Sequence, residues 1–81
     1  LKRKNNVRVA HKCAGRIRLV CEQLTDESDV SAIEAKISEF AGVKSARVNK
    51  HAKSIVVEYD KNFGEILEFI QNLDMPKKTK D

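Results

Sequence analysis

The chain has no tryptophan, one tyrosine and three phenylalanines among its 81 residues. That leaves little material for an aromatic platform on which nucleic-acid bases could stack. Its longest uninterrupted apolar runs are three residues or shorter, so neither a transmembrane helix nor the apolar segment of a signal peptide can be drawn from it. Two cysteines, Cys13 and Cys21, are too few for a secreted disulfide framework. Reduced thiols in a cytosolic setting are the expectation. Three glycines, Gly15, Gly42 and Gly64, are scattered, and none opens a phosphate-binding loop. No Ser/His/Asp set and no carboxylate pair on apolar flanks is present, so an enzyme is not expected. The first residue is Leu1, and a processed or excised piece of something larger is anticipated.

What the chain does have is charge and rhythm. Sixteen Lys+Arg against 12 Asp+Glu give a formal charge of +4. Much of the excess sits at the ends, in Lys2-Arg3-Lys4 and Lys77-Lys78-Lys80. Such runs are ordinarily solvated tails, and otherwise attract nucleic acid or an anionic membrane surface. With 41% hydrophobic residues the chain can bury one small core, so one domain is expected over residues 7–73. Residues 1–6 read as a flexible basic lead-in and residues 74–81 as a basic tail.

Within that domain the hydrophobic period changes twice. Over residues 7–21, Val7, Val9, His11, Cys13, Ile17, Leu19 and Cys21 share one parity, the mark of a half-buried strand. Gly15 allows a break, giving a hairpin with Val9 opposite Ile17 and Val7 opposite Leu19. A single long bent strand fits the same pattern. Residues 22–29 are polar and turn-like. Val30, Ile33, Ile37, Phe40 and Ala41 then form a helical stripe, with Ser28 or Asp29 as cap and Gly42 at its end. Ser31 and Glu34 also match the capping-box spacing. Glu34 and Glu39 read as solvent-side charges.

Two strands follow, residues 43–49 and 54–59, with Val48 pairing Ile55 and Ala46 opposite Val57 around a turn centred on His51-Ala52. Asn62 with Glu65 suggests a second capping box, and Phe63, Ile66, Leu67, Ile70 and Leu73 make a second helical stripe, stopped at Met75-Pro76. The order predicts an α+β fold: a two-layer ferredoxin-like sandwich with two helices on one face of an antiparallel sheet. PKKTKD cannot supply the usual last strand. The segment from Val7 to His11 is positioned to take that edge instead, antiparallel to Arg16–Cys21.

Two sets of side chains could carry chemistry. His11 and Cys13 stand at i, i+2, so in an extended segment both point the same way. Together they could hold Zn(II) or Cu(I), with a third ligand from a partner; the plain alternative is a pair that binds nothing. Cys21 continues the inward parity and reads as a small buried hydrophobe. His51 reads as a polar hairpin-tip residue. The second set is Arg8, Arg16, Arg18 and Arg47, all with outward parity, opposed there only by Glu58. Guanidinium groups on an open sheet could bind an anion, an acidic protein partner or the phosphates of a nucleic acid, or simply be solvated. The outward positions of residues 54–59 are Val56 and Glu58, not aromatics, which argues against base-reading RNA contacts.

His11-x-x-x-Gly15-Arg16-Ile17-Arg18-Leu19, then Phe40-Ala41-Gly42-Val43, Ala46-Arg47-Val48-Asn49 and Ser54-Ile55-Val56-Val57-Glu58-Tyr59-Asp60, together resemble the heavy-metal-associated domain superfamily. More narrowly, they are similar to its divergent branch with a Gly-Arg-x-Arg strand and no CxxC. The resemblance implies a cytosolic accessory or regulatory role in metal homeostasis or transport. It implies a stand-alone protein or the cytosolic N-terminal domain of a P-type metal ATPase, at the cytosolic face of a membrane. In the metal-binding members a CxxC pair sits between the first strand and first helix. Residues 22–29 contain no cysteine, so CxxC-dependent metal binding is not expected.

Overall fold

The computed structural model describes residues 4–77. Lys2, Arg3, Lys78 and Lys80 of the basic ends lie outside the described residues. The elements are β1 (Val7–Cys13), β2 (Arg16–Cys21), α1 (Val30–Ser38), β3 (Val43–Asn49), β4 (Ser54–Tyr59) and α2 (Phe63–Asn72). The strands form one antiparallel sheet in the order β1-β2-β4-β3. Thus β1 occupies the edge that a C-terminal strand would otherwise fill.

The residues that alternate inward on β2 and β4 supply one side of the core: Ile17, Leu19, Cys21, Ile55, Val57 and Tyr59. Ile33 and Ile37 of α1, and Ile66 and Ile70 of α2, supply the other. Both helices therefore cover a single face of the sheet. Burying these apolar side chains, at about 1.5–3 kcal/mol each, is what offsets the conformational entropy of so short a chain. All four aromatic rings lie on this helix side, with Phe40 stacked on Phe69 and Tyr59 tilted against Phe63.

Residues 7–21 form a hairpin rather than one bent strand, joined by Ala14 and Gly15, with Gly15 at φ +79°. Its register differs from the pairing inferred from parity. Val7 faces Cys21 and Val9 faces Leu19, two residues beyond the expected partners. The hairpin is longer than expected because β1 runs on to Cys13. Ala10 is the extra residue of a bulge between Val9 and His11, and this inverts the alternation that follows.

The β3–β4 pairing is as expected, Ala46 with Val57 and Val48 with Ile55. Asp29 caps α1 by accepting a hydrogen bond from the Ala32 N–H at 3.1 Å. The helix ends at Ser38, so Phe40 and Ala41 lie in the turn beyond it, and Gly42 follows at φ +95°. Asn62 does not cap α2 through its side chain; it adopts a left-handed conformation, φ 71°, and its Nδ2 reaches the Ala41 carbonyl at 3.4 Å. The segment preceding β1 is tied down. Asn5 Nδ2 donates to the carbonyls of Ile70 and Leu73 at 2.8 and 2.7 Å. After α2, the Pro76 carbonyl accepts from the Asp29 N–H at 2.9 Å.

Candidate functional site

The sheet face away from the helices is open, and the register sets its side chains in rows across all four strands. One row is His11, Arg18, Val56 and Arg47. The next is Cys13, Arg16, Glu58 and Ser45. A third joins Arg8, Val20, Ser54 and Asn49. Strands spaced about 4.8 Å apart make each row roughly 14 Å long.

The bulge at Ala10 decides where the two candidate metal donors sit. Strict parity puts His11 and Cys13 with Val7 and Val9, toward the helices. The extra residue turns them over, onto the arginine face, and turns Lys12 inward. Lys12 Nζ then lies over the Phe63 ring, 4.0 Å from its centroid. His11 Nε2 and Cys13 Sγ are 2.9 Å apart and both residues are exposed. They border a shallow depression with Arg16, Arg18 and Val56. Nothing in the alternation signals this inversion, because strict parity already points Lys12 outward between the two donors.

The arginines divide by position. Arg16, Arg18 and Arg47 surround Val56, while Arg8 stands in the third row near the far end of β1. All four are exposed, and among the described residues none of their side chains makes an ion pair or a hydrogen bond. Glu58, the face's one acid, accepts a hydrogen bond from Ser45 Oγ at 3.0 Å. Unpaired guanidinium groups keep their fork of donors available to a carboxylate or phosphate.

The remaining candidates resolve into structural roles. Cys21 is fully buried, and desolvation pushes its thiol above the usual range, against hydrogen bonds near Gln23 and Leu24 that pull it down. His51 is exposed at the β3–β4 turn, with Nδ1 3.7 Å from Asp26 Oδ1. Glu34 is not a simple solvent-side charge: its Oε2 accepts from the Val48 N–H at 2.8 Å, on the outer edge of β3. Among the described residues no cluster of three or more His, Cys, Asp or Glu side chains could hold a metal ion. Among the described residues of one chain, His11 and Cys13 are therefore an incomplete set.

The family described as heavy metal associated domain 2 matches residues 2–71, nearly the whole chain. No curated protein and no solved structure matches it.

Proposed function

The chain belongs to the heavy metal associated domain 2 family, and from that premise we propose a non-enzymatic accessory or regulatory domain in metal homeostasis or transport. The observation that carries this reading to particular residues is the pair His11 and Cys13, 2.9 Å apart on an exposed strand. A neutral imidazole and a thiolate are the donors that Zn(II) or Cu(I) prefers. The proposed contact is separate from the loop at residues 22–29, which holds no cysteine. In the finer form of the proposal the domain lies at the cytosolic N-terminus of a P-type metal ATPase and docks through its outer sheet face. The basic residues following α2 suit the cytosolic side of a membrane. No helix among the described residues is long and apolar enough to cross one.

Titrating the reduced domain with Cu(I) and with Zn(II), while following the amide resonances of residues 9–15, tests the metal contact. Movement at His11 and Cys13 at stoichiometric metal is expected. Resonances that stay still with both ions remove these residues as ligands.

A second reading is favoured by Arg16, Arg18 and Arg47 around Val56, none of them ion-paired among the described residues. In it the same face binds an acidic protein surface with no metal involved. Replacing Arg16 and Arg18 by Ala should weaken binding to an acidic polypeptide and flatten its salt dependence. Unchanged affinity and salt dependence would count against the face.

A further inference from the structure

We propose that His11 and Cys13 form one half of a shared zinc centre, completed by the same two residues of a second copy paired along β1. The inference rests on the metal reading above and adds the missing ligands.

The first argument is ligand count. Zinc in a structural site takes four donors in a tetrahedron. His11 and Cys13 supply two, and no third donor joins them among the described residues. The second argument is the edge on which they sit. β1 is an outer strand, and among the described residues no side chain or loop hydrogen-bonds its outer side. The opposite edge is treated differently, because Glu34 covers the Val48 amide there. An uncovered edge strand is a template for another strand.

The third argument is symmetry. When two identical strands pair antiparallel about a two-fold axis through Lys12, residue 11 of each falls opposite residue 13 of the other. His11 and Cys13 of both copies then share one face of the joined sheet. Side chains directly opposite have Cβ atoms about 4.5–5.5 Å apart, within reach of one bridging ion. Tetrahedral zinc, with bonds of about 2.3 Å to sulfur and 2.0 Å to nitrogen, separates those two atoms by about 3.5 Å. The present 2.9 Å contact between Nε2 and Sγ therefore needs only a small side-chain adjustment. Two thiolates balance the ion's two charges, so Arg16 and Arg18 in the adjoining positions face a neutral centre.

The pairing depends on the metal. Lys12 would stand opposite its own copy, and like charges directly across a ladder are unfavourable. Both lysines project to the other face, where each Nζ already lies over Phe63. The apo chain is accordingly a monomer. Zinc binding releases the Cys13 thiol protons to solvent and draws the edges together.

The test is sedimentation equilibrium of the 81-residue chain, kept reduced, with and without Zn(II), alongside measured zinc content. The expected result is a doubling of mass with one zinc per two chains, reversed by a chelator. Cys13→Ser and His11→Gln each remove two of the four donors, and should abolish the zinc-dependent doubling of mass. One zinc per monomeric chain would overturn the shared centre while leaving the metal contact intact. A dimer that survives chelation, or persists in Cys13→Ser, overturns it as well. Failure to take up zinc overturns it too, and the separate Cu(I) titration then decides the underlying metal reading.

Discussion

One thiol and two glycines show how much position decides at the scale of single residues. Cys21 sits in the core with no exposed surface, and burial favours its neutral form. The folded thiol therefore keeps its proton to higher pH than the unfolded one. The associated stability is complete below the ordinary thiol range, near 8.5–9, and is lost as pH climbs toward the raised value. Urea midpoints measured from pH 7 to 10 should fall at the alkaline end, and Cys21→Ala should flatten that decline. The glycines contrast in sign. A Cβ at Gly42 would lie 2.6 Å from the Lys61 carbonyl oxygen, on a backbone at φ +95°. Gly42→Ala should cost roughly 2–3 kcal/mol in a urea melt. Gly64 lies in the first turn of α2 with nothing within 4 Å of its would-be Cβ. Gly64→Ala should instead stabilise by about 0.5–1 kcal/mol.

At the scale of elements, the two sheet edges are treated differently. β3 is guarded by Glu34, which reaches from α1 to the Val48 amide. Glu34→Ala should cost about 1–2 kcal/mol, and Glu34→Gln less, because the amide oxygen can still accept. Equal destabilisation by both variants in the same melt would assign the effect to charge rather than to the hydrogen bond. β1 has no such cover among the described residues. The β3–β4 register was legible in the sequence because each strand alternates without interruption between Ala46 and Val48, and between Ile55 and Val57. The β1–β2 register was not, because the one extra residue at Ala10 changes no composition and breaks no run. The helix stripes were legible from their period, whereas the end of α1 at Ser38 was not. Phe40 has the right spacing for a helical stripe but meets Phe69 from the turn beyond it.

At the scale of the whole molecule, both ends of the described chain close helix termini. Asn5 binds carbonyls at the end of α2 that lie 65 and 68 residues away, and Pro76 accepts from the residue that caps α1. The last carbonyls of a helix need such partners, and α2 has no glycine after it to provide a left-handed cap. Asn5→Ala should lower stability by about 1–2 kcal/mol, seen as a drop of several degrees in the thermal midpoint. Unchanged melting would mean that water replaces the asparagine at no cost. The long-range separation explains why residues 1–6 read as a lead-in, since nothing local marks Asn5 as a cap.

Period alone determined the layers. A change from two to about three and a half and back implies strands and helices that must share one apolar interior, and β1 was the strand available to complete the sheet. The same parity gathered Arg16, Arg18 and Arg47 on the outer face. Only the tertiary structure placed His11 and Cys13 beside them. A side chain's face depends on its ladder partner as well as its sequence neighbours, and one unpaired residue at Ala10 reverses every direction after it.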